Sequence, residues 1–226
     1  MAAGRKNGSR TRAGALAGSR RGSSYRAGRL TREAIVRAAE AVLIQHGHAQ
    51  FTVQRVAAHL DISPGNVNYY FPTRASLLEA LILHTLARYR RRVRAIDRRA
   101  GATLPAEFDA VLRWLMEDAV TPRGSRLFRQ LWAIAASDPG VAAAMDSFYT
   151  RSVRGHLRRL GVRRAATRDY RHLEAIMYLV HMLSEGTTVL FGTRPRSRAL
   201  FERVQSLAER AIAQLVADAI PTDIDP

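Results

Sequence analysis

Ser63, Asn66, Asn68, Tyr69 and Tyr70 form a short polar stretch whose side chains both donate and accept hydrogen bonds. An asparagine amide can bond an adenine edge at two points, and a tyrosine reaches far enough to bond phosphate or to pack on a thymine methyl. Thr52 and Thr73 stand where helices should begin, and a helix N-terminus offers free backbone N–H groups to an anionic phosphate. Arg74 places a positive charge beside the second of these. Together these residues have the chemistry to read base edges and to grip a phosphate backbone. The same residue types also suit a plain solvent-facing turn, because Asn and Ser are common in turns and paired tyrosines often only pack.

A second set lies downstream. His172, Glu174, His181 and Glu185 run along one helical stretch, and carboxylates with histidines inside a bundle can hold two metals. That design requires Glu-x-x-His on a second helix, which the sequence does not supply. It also has no Gly-rich phosphate loop and no nucleophile elbow. Without cysteine, disulfides, thiolate metal sites and cysteine nucleophiles are excluded. The expectation is a protein that is not an enzyme, with no catalytic residue, no metal and no cofactor.

The elements that position the first set are short helices. Thr31 begins a helix with Ile35, Ala38, Ala39 and Val42 at helical spacing, and Gly47 ends it. Thr52 caps a second helix with Val53, Val56, Ala57 and Leu60 on its apolar face. After a tight connection at Asp61-Ile62, Ser63-Pro64 starts a third helix that ends near Tyr70, before Phe71-Pro72. Thr73 then caps a long fourth helix towards about Ile96. Helices two and three have the dimensions of a helix-turn-helix, in which the second helix enters the major groove and Val67 points inward. Further helices are expected at about 104–120, 125–136, 141–160, 167–191 and 198–219, and no alternating β-branched run competes as a strand. The predicted fold is all-α: an N-terminal three-helix helix-turn-helix domain joined by the long fourth helix to a larger C-terminal helical bundle.

Hydrophobic residues make up 47% and charged residues 24%, which suits a globular chain. No apolar run approaches the ~20 residues of a membrane span, and the start has no apolar signal core, so no membrane partner and a cytoplasmic location are expected. The net charge is +17. Arg5, Lys6, Arg10, Arg12, Arg20, Arg21, Arg26 and Arg29 place much of that excess in an acid-free, Gly/Ser/Ala-rich start, read as a disordered basic arm over 1–28. Such a start also has the composition of a transit peptide or of a non-functional extension. Positive charge favours nucleic acid, the commonest polyanion in a cytoplasm. Codon bias is the competing explanation, since Lys6 is the only lysine among 36 basic residues.

From Leu30 to Leu81 the order of residues resembles the N-terminal domain of the TetR family of transcription regulators. The matching residues are Gly47, Phe51-Thr52-Val53, Val56-Ala57, Leu60, Ile62-Ser63-Pro64-Gly65-Asn66-Val67-Asn68-Tyr69-Tyr70-Phe71-Pro72-Thr73-Arg74 and Leu77-Leu78. The resemblance implies that Ser63, Asn66, Asn68, Tyr69 and Tyr70 face double-stranded DNA, with Arg74 or its helix terminus on phosphate. Asn68 stands where tyrosine is commonest, Asn66 where threonine or serine is usual, and Arg74 where lysine is usual. Arginine keeps the charge, and the two asparagines should shift base preference.

The resemblance divides the chain into a DNA-binding domain at 29–76, an effector-binding and dimerisation domain at 77–219, and a tail at 220–226. It implies a pocket for a small-molecule effector of unknown class. The candidates to line it are Trp114, Phe128, Trp132, Tyr149, Met177, Tyr178 and His181, each of which also suits an ordinary core. It implies a homodimer through the helices near 167–191 and 198–219. Leu173, Ile176, Met177, Val180 and Ser184 on the first and Phe201, Val204, Ala208, Ala211 and Leu215 on the second are the expected interface stripes. Two reading helices would then engage the half-sites of a near-palindromic operator. The function read from the sequence is a sequence-specific transcription regulator, a repressor in its usual sign, modulated by an effector. Non-specific DNA coating driven by charge and a helical-bundle metal enzyme are the alternatives.

Overall fold

The computed structural model describes residues 28, 30–97, 103–162, 167–193 and 197–219, so the expected basic arm, apart from Gly28, and the tail lie outside the described residues. The first helix, α1, covers 30–46 and buries Ile35, Val36, Ala38, Ala39, Val42 and Leu43. Gly47 ends it at φ 77, a left-handed conformation that a side chain would resist. After a single 3₁₀ turn at His48–Gln50, α2 spans Val53–His59 and α3 spans Pro64–Tyr70. Thr52 Oγ1 accepts the Arg55 N–H at 3.2 Å, and Ser63 Oγ accepts the Asn66 N–H at 3.2 Å, so both expected caps are in place. Asp61 closes the turn between them at φ 54, a conformation aspartate tolerates better than most residues.

Helix α4, Arg74–Asp97, begins with a reciprocal cap: Thr73 Oγ1 accepts from Ser76 N at 3.0 Å and Ser76 Oγ accepts from Thr73 N at 3.2 Å. The body follows as α5 Leu104–Val120, α6 Pro122–Ala135, α7 Pro139–Arg159, α8 Thr167–Leu190 and α9 Arg198–Ala219. Helix α5 packs on α8 and α9, while α4 crosses α7. The described residues contain no strand, as the all-α expectation required. One hydrophobic cluster runs from Ile35 on α1 through Leu81 and Tyr89 on α4 to Val216 on α9, so α4 belongs to both halves of the core. Among the described residues, no helix is long and apolar enough to cross a membrane.

Two helix starts differ from expectation. Helix α6, expected from 125, begins at Pro122, with Pro122 in its first turn and Thr121 Oγ1 accepting from Gly124 N at 3.0 Å. Helix α7 likewise starts at Pro139, capped by Asp138 Oδ1, which accepts from Gly140 N and Val141 N. Proline lacks the N–H that the first turn leaves unpaired anyway, so in both places it opens a helix.

The α5–α6 corner is tight. A Cβ on Gly124 would lie 2.2 Å from the Asp118 carbonyl oxygen, a backbone atom that cannot turn aside. Gly124→Ala is expected to destabilise the fold by about 1–3 kcal/mol through overpacking, measured as a lowered urea midpoint. An unchanged midpoint would mean that the corner opens at no cost.

Candidate nucleic-acid interface and effector pocket

Helix α3 has two faces. Val67 is fully buried and fastens it to the bundle, while Asn66 and Asn68 are exposed and Tyr69 is 80% exposed. Ser63 is exposed but spends its oxygen on the cap, keeping its O–H as a donor. Tyr70 is half-buried, its ring edge-on to that of Tyr69 at 5.1 Å. The structure therefore brings Ser63, Asn66, Asn68 and Tyr69 to one outward surface, with Tyr70 at its edge. Thr52 and Thr73 cap α2 and α4, and each hydroxyl retains a proton to donate. None of α2, α3 and α4 carries an acid in its first turn, so nothing neutralises the positive end of those helices. Arg74 Nε donates to the Phe51 carbonyl at 3.3 Å, and the guanidinium lies 5.6 Å from the Phe51 ring centre. This holds Arg74 between the starts of α2 and α4, with its two terminal nitrogens available to an anion.

The helix-turn-helix domain is tied to the body by polar contacts that motif reading missed. Glu40 on α1 is buried, and its Oε1 accepts from Arg88 on α4 at 2.7 Å and from Arg123 on α6 at 2.8 Å. Burial alone would raise this carboxyl, but the bonds from Arg123 and Arg88 outweigh it and hold Glu40 below its ordinary value. In the turn after α1, His48 donates its backbone N–H and its Nδ1–H to Gln130 Oε1 at 2.7 and 2.8 Å.

In the body, the expected pocket residues divide into three places. Phe128, Tyr149 and His181 border a void of about 10 Å³ together with Tyr89, Asp118, Phe148 and Glu185. Trp114, Met177 and His181 border another of about 20 Å³ with Tyr89, His156 and Arg159. Each has room for about one water. Trp132 and Tyr178 lie further out, 44% and 38% exposed: Trp132 stacks on Tyr149 at 5.9 Å, and Tyr178 shares a 3.4 Å hydrogen bond with Thr150. Tyr89, absent from the expected set, stands at the centre, bordering both voids and hydrogen-bonding Asp118. The stripe Ile82, Leu86, Tyr89 and Val93 marks it as inward-facing, a signal hidden by the arginines on either side. Burial pushes His181 down to about 4 and His156, with Arg159 beside it, down to about 3, so both are neutral near pH 7. His172 turns to solvent while His181 and Glu185 turn inward, and among the described residues no three His, Asp or Glu side chains converge on a metal position.

Most of the expected dimer stripes face inward, although Val204 and Leu215 are half-buried and Ala211 is exposed. Leu173, Ile176, Met177, Val180 and Ser184 are buried in the protomer's own core, as are Phe201 and Ala208. The large apolar residues left outside are Tyr178, Met182, Val189 and Leu190 on α8 and Leu200 and Leu207 on α9, with Met182 and Leu207 68% and 60% exposed.

A helix-turn-helix domain on a helical body, sharing a core through one long helix, defines the class as the fold of one-component transcription regulators. Residues 35–81 match the family model for bacterial regulatory proteins of the tetR family, so this helix-turn-helix is a TetR-family domain. The rest of the chain carries the fold of the same regulators. A protein from Mesorhizobium loti MAFF303099 assigned to the TetR-family transcriptional regulators superimposes with a TM-score of 0.66 at 16% identity, covering 84% of this chain and 97% of that one. The multidrug binding protein EbrR, complexed with imidazole, gives 0.62 at 23% identity over 86% and 98%. Salmonella enterica GusR gives 0.60 at 19% over 83% and 95%. None of the curated proteins matches the sequence.

Proposed function

We propose that this chain is a cytoplasmic homodimeric repressor that binds a near-palindromic operator and is released from it by a small molecule bound in the body. The observation that carries the reading is α3: Val67 anchors its inner side, and Asn66, Asn68 and Tyr69 stand free on its outer side, within a TetR-family domain. Ser63, Tyr70, Thr52, Thr73 and Arg74 complete the surface, the last three on phosphate. The domain division at 29–76 and 77–219 puts α4 across the boundary, where a change of tilt would alter the spacing of two reading helices. Effector and DNA then oppose each other by a coupling of about 1–3 kcal/mol. EbrR, of the same fold, is a multidrug binding protein that has also been captured with malachite green, which supports a ligand-binding body here.

Dimerisation through α8 and α9 is assigned to the outer face, because Met182, Val189 and Leu207 have no cover within the protomer. The test compares binding to the gene's own upstream DNA and to scrambled DNA of equal length at about 150 mM salt. A preference of about a thousandfold is expected for a specific regulator. Equal affinity for both would favour charge-driven coating. The double variant Met182→Glu, Leu207→Glu should sediment as a monomer and lose operator affinity while keeping its helical content. A variant that remains dimeric would move the interface elsewhere.

A further inference from the structure

Helix α4 carries no acid between Glu79 and Asp97, and helix α7 carries none after Asp146. In those stretches α4 exposes Arg90, Arg91 and Arg92, and α7 exposes Arg151, Arg154 and Arg158. Among the described residues, none of these arginines has an ion pair with a carboxylate. Elsewhere the chain does pair its arginines. Arg37 meets Glu33, Arg113 meets Asp109 and Glu209, Arg198 meets Glu202, and Arg88 and Arg123 share Glu40. A codon bias that enriches arginine does not clear acids from two helices that pack on each other, as α4 and α7 do.

The two sets are neighbours. Arg151 borders a groove together with Leu83 and Leu86 of α4, and Arg90 borders a small void together with Arg159 of α7. Arg151, Arg154 and Arg158 recur at helical spacing and share one side of α7 over about 10 Å. That is the axial length of about three phosphates on one strand of a DNA duplex. Arg158 Nε donates to the Arg154 carbonyl at 3.3 Å and keeps its two terminal nitrogens for an anion. From Arg74, beside α3, helix α4 rises about 24 Å to Arg90. A duplex seated on α3 therefore rests at the opposite end of α4. Among the described residues, no large apolar side chain is exposed on α7, and Leu83 is the one exposed on α4. The face thus has no apolar stripe to enter a lipid surface.

We infer that the arginine face of α4 and α7 grips the phosphate backbone of a second DNA duplex, whatever its sequence, while α3 holds the first. The inference rests on the regulator reading for the duplex on α3, and on the body's own residues for the second. A guanidinium is planar and bonds phosphate oxygens at two points, and it needs no base edge to do so. Charges spread along two helices suit a long polyanion better than a small anion, which would need them to converge on one point. Such a chain holds two stretches of DNA at once, one read and the other only held.

The experiment uses the full chain and its triple variant Arg151→Gln, Arg154→Gln, Arg158→Gln. Upstream duplex fixed to beads is saturated with protein, washed, and offered a fluorescent scrambled duplex at about 50 mM salt. Wild type is expected to retain the scrambled duplex. The variant should retain about tenfold less, with its affinity for the upstream duplex held within about threefold. No retention by wild type, or equal retention by the variant, would overturn the inference. So would displacement of the retained duplex by anionic vesicles or duplex RNA at a lower phosphate concentration than unlabelled scrambled DNA requires. A second arm needs no upstream DNA. Fixed to beads itself and saturated with scrambled duplex, wild type should hold about twice as much as the variant. That excess without capture by upstream DNA sinks only the regulator reading, and capture by upstream DNA without that excess sinks only the second face.

Discussion

Asn66→Ala combined with Asn68→Ala should reduce the preference for upstream over scrambled DNA by about a hundredfold while leaving the melting temperature within a degree or two. Both side chains are exposed, and the Asn66 backbone N–H, which Ser63 caps, is untouched by truncation to alanine. No packing is lost, so a fall in specificity reports contacts to base edges, each worth about 1–3 kcal/mol where an amide bonds a base at two points. Arg74→Ala gives the contrasting result. It should weaken binding to both DNAs alike and flatten the dependence of log affinity on log salt by about one unit, because a phosphate contact carries no sequence information. Gel-shift titrations at several salt concentrations separate the two patterns. If the asparagine variant weakens both DNAs equally, α3 does not read bases.

Helix α3 was legible because its punctuation is local. Thr52, Ser63-Pro64 and Thr73 each fix a helix start from within three residues, and the structure places all three caps as the sequence suggested. The same cap-then-proline pattern at Thr121-Pro122 and Asp138-Pro139 starts α6 and α7 a few residues before the expected 125 and 141. The interface was harder for a different reason. Helix α8 is apolar on two sides, Leu173, Ile176, Met177 and Val180 inward and Tyr178, Met182 and Val189 outward, and helical periodicity alone cannot say which side meets the protomer's own core. The pocket depends on partners distant in sequence. Tyr89 reaches Asp118 and Tyr149 reaches Glu185, pairings that leave no mark in any local pattern.

Glu40 is the least legible residue and the one whose environment carries the second large effect. It interrupts an apolar face between Ala39 and Val42, and its partners lie 48 and 83 residues away, one on α4 and one on α6. Replacing both Arg88 and Arg123 with alanine leaves a buried carboxylate unpaired, its Oε2 already without a hydrogen bond. The expected cost is on the order of 3 kcal/mol, below the full value for a buried pair because Arg123 is 59% exposed and screened by solvent. Adding Glu40→Met to that double variant should recover much of the loss, since a methionine of similar volume needs no partner there. The carboxyl lies below its ordinary value in the folded chain, so its contribution is present above the unfolded value near 4.5 and fades as pH falls through the depressed folded value. Wild type should therefore lose this increment on acidification, and the triple variant should not. Stability alone would make this a structural detail, but Arg88 is the neighbour of Tyr89 on α4, so its bond to Glu40 links α1 to the residue that borders both voids. The triple variant is thus expected to fold and, in the regulator reading, to release upstream DNA less completely than wild type when a small molecule occupies the body. Release matching wild type would show that coupling between pocket and reading helix does not pass through Glu40.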